Sequence, residues 1–326
     1  MRIALVGPTY PFRGGIAHHT TMLARALQQK HELLFISFRR QYPRMLFPGH
    51  TDRDPSAWTL QTGDVRFVVD SLAPKTWERA VRMVRDYEPD RVILPWWTWF
   101  WTLPTLYILA RLEMSLGSET VLVCHNALEH EESWLSRLGT RLVLSRGDSV
   151  ITQSREETER VCRMLSPRAR IVTGFHPVYD QFKGSLPGRE EARAQLGLSG
   201  EVLLFMGFVR PYKGLDVLLK ALSRLRDRRT VSLLVVGEFW ENKSVYTNRI
   251  DELELNDRVR LVDRYVPNEE LGRYFAAADL AVLPYVSGTG SGVCQLAFGM
   301  NTPVVASRVG SMADVVEHGV NGRLVD

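Results

Sequence analysis

The sequence predicts an α/β protein of two domains, each with a parallel sheet covered by helices on both faces. Three observations lead there. Short apolar, β-rich runs alternate with helical patterns along the whole chain, the signature of strands joined by helical crossovers. About a dozen such runs are too many for one compact sheet. The 326 residues also suit about two domains. A polar break, "HPVYDQFKGSLPGREEARAQLGLSGE" (His176 to Glu201), holds two prolines and four glycines and ends where a new apolar strand starts. The expected division is residues 1–175, a linker over 176–200, and residues 201–326.

The strands expected in the first half are Arg2–Val6, Glu32–Ser37, Val65–Val69, Val92–Leu94, Thr120–Cys124, Ser149–Thr152 and Ile171–Thr173. A helix from Gly15 places Ile16, Leu23 and Leu27 on one face. In the second half the expected strands are Val202–Met206, Ser232–Val236, Arg258–Val262, Leu280–Leu283 and Val304–Ala306, with helices such as Leu215–Arg226 and Asn268–Ala277 between them. Ligands of such sheets bind beyond the carboxyl ends of the strands. Two Rossmann-like sheets facing each other would line one central cleft.

Composition narrows the function. Apolar residues make up 45% and charged residues 24%, as in ordinary globular proteins. No apolar run of roughly 18 residues is present, so no membrane span is expected, and the apolar start is too short for a signal-peptide core. Cys124, Cys162 and Cys294 form neither a disulfide framework nor a Cys-x-x-Cys pair, which fits a reducing cytoplasm. A net charge of +4 is too mild to argue for nucleic acid. It suits phosphorylated ligands or an anionic membrane surface. "FRRQYPR" (Phe38 to Arg44) concentrates three arginines beside two aromatics, and Met45, Leu46 and Phe47 follow. That stretch is read either as a contact for a membrane or lipid-linked acceptor or as a solvated loop.

Two segments of the second half look built for an anion. In "MGFVRPYKGLDVLLKAL" a strand ends at Met206 and the following loop carries Arg210 and Lys213. A guanidinium fork and an ammonium suit a diphosphate; the alternative is a solvated loop with two surface charges. In "VLPYVSGTGSGVCQLAFG" a strand runs into Gly288, Thr289, Gly290, Ser291 and Gly292, and then a helix. Thr289 and Ser291 can cap it, and the glycines let a ligand approach backbone N–H groups at the helix start. The alternative is a flexible connector.

The first half offers weaker candidates. Gly14 and Gly15 open a helix after the first strand, but Gly-x-Gly-x-x-Gly is absent, which argues against a nicotinamide dehydrogenase. Of His18 and His19, one could face the cleft. His125 and Asn126 end a buried strand; His125 is either a ligand contact or a satisfied loop histidine. "PWWTWFW" (Pro95 to Trp101) is read as packing at Trp96. Asp52-x-Asp54 is read as a surface loop rather than a metal site, and no metal-ligand cluster is expected.

At these residues a resemblance becomes specific. "GFVRPYKGLDVLLKAL", "VVGEFWENK", "VCHNALEHE" and the run from "AADLAVLPYVSGTGSG" to "NGRLV" resemble the retaining GT-B glycosyltransferases of family 4. The resemblance covers nearly the whole chain and is strongest from Val202 to Val325. It implies two Rossmann-like domains facing a cleft. A nucleotide-diphosphate sugar would be held by the second domain and an acceptor by the first, with no metal or other cofactor. Many members carry a Glu-x7-Glu pair, whose positions here are Gly288 and Leu296; the segment resembles instead a subgroup with Ser-Gly-Val-x-Gln, in which Gln295 takes a ribose hydrogen bond. Phe208 stands where the usual arginine does, and Arg210 is its expected substitute. Members continue with further helices, so the sequence is expected to end before these.

The resemblance implies that Arg210, Lys213 and His125 carry the chemistry, with His125 on the transferred sugar. Donor contacts would come from Gly14, Gly15, Glu238, Thr289, Gly290, Ser291, Gly292, Val293 and Gln295. The expected acceptor is a glycan or lipid-linked sugar, and the expected location is cytoplasmic, with attachment to the inner membrane face as a further possibility. A GT-B nucleotide-sugar epimerase and a non-catalytic nucleotide-sugar-binding protein are the alternatives.

Overall fold

The computed structural model describes residues 1–43, 51–57, 62–114, 117–127, 134–165, 170–225 and 230–326. The chain divides into two compact units. One comprises residues 1–55 and 59–175, the other residues 56–58 and 176–326.

The first unit runs β1 (Arg2–Val6), α1 (Gly15–Gln28), β2 (Glu32–Arg40), β3 (Val65–Asp70), α2 (Pro74–Tyr87), β4 (Arg91–Trp96), α3 (Thr102–Glu113), β5 (Glu119–Cys124), α4 (Trp134–Leu144), β6 (Ser149–Thr152), α5 (Arg155–Met164) and β7 (Arg170–Thr173). Its seven strands are all parallel, in the order β3-β2-β1-β4-β5-β6-β7. Strands such as β4 (RVILPW) and β5 (ETVLVC) read as near-continuous apolar runs because helices cover both faces.

The second unit runs α6 (Arg189–Leu196), β8 (Glu201–Met206), α7 (Leu215–Arg224), β9 (Val231–Val236), α8 (Ser244–Glu252), β10 (Val259–Val262), α9 (Asn268–Ala277), β11 (Leu280–Leu283), α10 (Gly292–Gly299), β12 (Val304–Ser307), α11 (Met312–Val315) and β13 (Gly322–Val325). Its six strands are parallel in the order β10-β9-β8-β11-β12-β13. The short edge strand β13 has too few apolar residues to be seen in the sequence.

The order reverses between β1 and β4 in the first sheet, and between β8 and β11 in the second. Such switch points open a crevice at the carboxyl ends of the two strands. In the second unit those strands feed the Arg210–Lys213 loop and the Gly288–Gly292 loop.

One reading changes. Residues 176–200, expected as a linker, fold with the second unit. Tyr179, Phe182, Ala192 and Leu196 are buried, Tyr179 N donates to Gln295 O (3.3 Å), and Arg193 donates to Asp279 (2.7 Å). Those apolar anchors are widely spaced among polar residues, and the prolines and glycines hid them. The stretch from Phe38, read as a membrane or acceptor contact or as a solvated loop, divides over its described part, with Arg39 and Arg40 exposed and Phe38 inside. Phe38 is buried and stacks on Trp101 with ring centres 4.3 Å apart. Trp97 Nε1 donates to Tyr42 Oη (2.8 Å), and Arg40 donates to Asp70 (2.7 Å). Residues 44–47 of that stretch lie outside the described residues. Trp96 is packed in the core, as are Trp97 and Trp101, while Trp99 is exposed.

Candidate functional site

The second unit builds its site where β8 and β11 end. Arg210 precedes a 3-10 turn, Pro211–Lys213, and Gly214 then starts α7 in the left-handed region (φ +70°). A Cβ on Gly214 would lie 1.9 Å from Pro284 O. The loop after β8 therefore lies against the loop after β11, and Val286 N donates to Tyr212 O (2.8 Å).

This brings Lys213 to the start of α10. A Cβ on Gly207 would meet both Lys213 Nζ (2.6 Å) and Val293 Cγ2 (3.2 Å). Lys213 is buried, with Nζ 5.5 Å from the centre of the Tyr285 ring. Among the described residues no carboxylate pairs with it. Burial, and then the nearby positive charge of Arg210, lowers its pKa from 10.5 to about 8. A buried cation beside another cation is costly unless an anion joins them. Arg210 lies over the Trp240 ring (Cζ to centre 4.7 Å); burial raises the Tyr212 phenol pKa, and the charge of Arg210 opposes that rise.

Ser291 caps α10: its side chain accepts from Cys294 N (3.1 Å) and bonds the Tyr285 hydroxyl (3.1 Å). No acceptor among the described residues takes the N–H of Gly292 or Val293. They remain at the positive end of the helix, where an anion is favoured. The preceding loop is clamped by the turn after β12. Ser311 N donates to Thr289 O (2.9 Å), and a Cβ on Gly290 would touch Ser311 Oγ at 3.0 Å. Thr289, Ser291 and Gln295 are all buried. Glu238, also buried, accepts at its backbone O from Val209 N (2.9 Å), tying the loops after β8 and β9 together. Arg210, Lys213, Glu238, the Thr289–Val293 segment and Gln295 thus belong to one unit; Lys213 and Val293 both flank Gly207, and Ser291 bonds Tyr285.

Sequence reading missed several supporting groups. Tyr285 meets Tyr212 and Lys213 on the loop after β8, and Ser311 meets Thr289 from the turn after β12. Phe208, Trp240 and Tyr265 form an aromatic wall on the loops after β8, β9 and β10. Ring centres lie 4.2 Å apart for Phe208–Trp240 and 6.2 Å for Phe208–Tyr265. Each comes from a different strand end, so no local pattern announces the wall.

In the first unit Gly14 (φ +108°) precedes α1, and a Cβ on Gly14 or Gly15 would meet nothing within 4 Å. A side chain at either position would thus have room. His125 follows β5 and is buried; its Nδ1 lies 3.1 Å from Gln153 Oε1, while Gln153 Nε2 lies 2.9 Å from His19 Nε2. With the amide oriented so, Gln153 accepts from His125 Nδ1–H and donates to His19 Nε2. The two imidazole rings meet edge to face at 4.6 Å. Gln153, three positions into no recognisable motif, was invisible in the sequence. His18 turns elsewhere, with Nε2 3.5 Å from Asp54 Oδ2. Asp54, read as part of a surface loop, is buried: its N–H donates to Pro11 O (2.8 Å), and Phe12 bridges to Arg53. Among the described residues no three His, Cys, Asp or Glu side chains converge as for a metal.

Two α/β units with parallel sheets, the second carrying a cationic loop and a glycine-lined helix start at its switch point, give the chain the GT-B fold. Solved structures agree on the fold. Sucrose-phosphate synthase from Thermosynechococcus elongatus superposes with TM-score 0.72 at 20% identity over 99% of this chain and 85% of that one. The Anabaena protein HepE in complex with UDP gives 0.72 at 18% identity, over 100% and 85%. Residues 14–173 match the family described as glycosyl transferase 4-like domain, and residues 200–326 match glycosyl transferases group 1. Each match falls on one of the two units, and together they span most of the chain. Among curated relatives, D-inositol 3-phosphate glycosyltransferase 1 of Catenulispora acidiphila is 31% identical over 58% of this chain and 47% of that protein. The Corynebacterium glutamicum D-inositol 3-phosphate glycosyltransferase is 27% identical over 69% and 55%. The chain thus spans about half the length of these relatives.

Proposed function

We propose that the protein transfers a sugar from a nucleotide-diphosphate sugar to a glycan or lipid-linked acceptor, with retention at the anomeric carbon and without a metal. The observation that carries this reading is Lys213: a buried ammonium, unpaired by any carboxylate among the described residues, beside the first turn of α10 at a sheet switch point. HepE has been solved with UDP-glucose, which supports a donor of this class.

In the proposed reaction the bond from anomeric carbon to phosphate oxygen breaks and a bond to the acceptor oxygen forms. The acceptor proton passes to the departing diphosphate. Negative charge grows on that diphosphate, and donors aimed at it lower the barrier. Lys213, Arg210 and the N–H groups of Gly292 and Val293 supply them. No side-chain acid or base is then needed where Gly288 and Leu296 replace the paired glutamates of related enzymes. In this reading Gln295 and Glu238 hold the donor, Gly14 and Gly15 are further donor contacts, and His125 contacts the sugar.

Thermal-shift screening of UDP, GDP and ADP sugars tests donor binding. At least one nucleotide should raise Tm, since a ligand bound only by the folded state stabilises it; no shift with any of them contradicts the assignment. Product analysis then separates transfer from epimerisation, and binding without turnover would favour a non-catalytic role.

The protonation of Lys213 gives a pH test with opposite signs. Its pKa falls from 10.5 in the unfolded chain to about 8 in the folded one. Between these values the unfolded state binds more protons, so ligand-free stability rises as pH climbs from 8 towards 10.5. Diphosphate binding needs the ammonium and weakens over the same range. Titration calorimetry of the selected nucleotide across pH 7 to 10 should show this loss; a pH-independent Kd would contradict it.

His125→Ala should lower turnover by about 100-fold while leaving nucleotide affinity within about twofold. Gln153→Ala should share part of that loss, because it holds His125 at Nδ1. Steady-state kinetics beside direct binding checks both, and an equal loss of nucleotide affinity would contradict the assignment of His125 to the sugar.

A further inference from the structure

Three elements of the first unit set polar side chains against one another. His19 lies on α1, His125 follows β5 and Gln153 follows β6. Both imidazoles are buried, and their rings meet edge to face at 4.6 Å, with 86° between the planes. The Gln153 amide spans them: Oε1 lies 3.1 Å from His125 Nδ1, and Nε2 lies 2.9 Å from His19 Nε2. The backbone around this amide is fixed at several points. His125 N donates to Trp96 O (2.8 Å). Next to Gln153, Ser154 caps α5 by accepting from Glu157 N (3.1 Å). The buried Glu157 carboxylate in turn accepts from Ala127 N (2.7 Å), just beyond His125. The strand ends that carry His125 and Gln153 are thereby tied together.

A primary amide has one accepting end and one donating end. Its oxygen requires a proton on His125 Nδ1, and its nitrogen requires a lone pair on His19 Nε2. A neutral imidazole carries one N–H. His125 then keeps a lone pair at Nε2, and His19 keeps its proton at Nδ1. Turning the amide over would reverse both demands at once. The two rings therefore hold one tautomer in common, and neither can change it alone. A ring with the wrong tautomer would set two donors or two lone pairs against each other in a buried place, where an unmade hydrogen bond is costly.

We propose that His19 is a positioning residue for the transfer reaction: through Gln153 it holds His125 as the neutral Nδ1–H tautomer, so that His125 Nε2 accepts from a hydroxyl of the transferred sugar. The link to the sugar rests on the proposed function; the tautomer does not. His19 acts at one remove. Its lone pair fixes which end of the amide faces His125, as the third member of a catalytic triad fixes the ring before it. A sugar hydroxyl at that place must donate, and a group that can only accept is refused.

Histidine-selective nitrogen-15 labelling tests this on the unaltered protein. At about pH 8.5, well above the ordinary imidazole pKa of ~6.5, long-range nitrogen–proton spectra report which ring nitrogen carries the proton. The signals are assigned by their loss in His125→Phe and His19→Phe. His19 and His125 should both show the Nδ1–H form. His19→Phe keeps an aromatic ring against His125 but takes away the acceptor for the amide, so His125 should shift towards the Nε2–H form. Adding Gln153→Glu, whose carboxylate only accepts, should restore Nδ1–H at His125. Turnover should follow the tautomer, with at least about a tenfold loss in His19→Phe, nucleotide affinity within about twofold of the parent, and partial recovery in the double variant. The thermal transition of each variant, compared with the parent, separates loss of fold from loss of the relay. An Nε2–H tautomer at His125 in the parent, or a His125 tautomer unchanged in His19→Phe, overturns the relay. A tautomer that moves while turnover holds at the parent rate upholds the relay and instead removes the sugar contact of His125 from the proposed function.

Discussion

Lys213→Met is expected to reduce sugar transfer at least about 100-fold and, at the same time, to stabilise the ligand-free protein. Methionine keeps the apolar stem beside Tyr285 and Val293 but removes the charge. A buried ammonium without a counter-ion costs free energy, so the folded state should gain about 1–3 kcal/mol. Loss of rate together with a gain in Tm is what an anion-binding group shows, because its charge is satisfied only when ligand is present. A lysine kept for structure would show the opposite pattern. Arg210→Ala should also slow transfer, and it should raise the pKa of Lys213 by removing the positive charge that depresses it. Kinetics and calorimetric melting of both variants check the pair; normal rates in both would remove the phosphate assignment.

Gly214→Ala is expected to have the largest effect on stability. The residue sits at φ +70°, and an added Cβ would lie 1.9 Å from the carbonyl oxygen of Pro284. That oxygen belongs to backbone, so no side-chain rotation relieves the clash. Strain and displacement together should cost about 4 kcal/mol or more, lowering Tm of the second unit by roughly 10 °C. Because the same contact sets the β8 loop against the β11 loop, nucleotide affinity should fall with stability. Gly188→Ala provides the comparison: its φ is −61°, and a Cβ there would meet nothing within 4 Å. That variant should melt at or slightly above the parent temperature. Equal melting of the two variants would contradict the packing described for the switch point.

The fold was legible because its determinants are local. Strands buried on both faces appear as apolar runs, and polar loops carry Arg210, Lys213 and the glycines directly after them. What stayed hidden is non-local. Tyr285 reaches Tyr212 and Lys213, and Ser311 clamps Thr289, only after separate crossovers bring the loops together. Gln153 joins His125 to His19 across separate strand ends. The burial of Asp54 depends on the loop after β1. The inward side of Phe38 was hidden for a related reason: arginines follow it in sequence, but its own side chain belongs to the core with Trp101. Residues 176–200 look like a linker by composition, although Tyr179 and Phe182 are buried in the second unit.

The central claim is that a diphosphate sits between Lys213 and the start of α10. A crystal structure with the nucleoside diphosphate selected by thermal shift tests it most directly. The account predicts phosphate oxygens about 2.7–3.2 Å from Lys213 Nζ and from the N–H groups of Gly292 and Val293. A nucleotide bound with its phosphates at any other strand end, and Lys213 untouched, would contradict it.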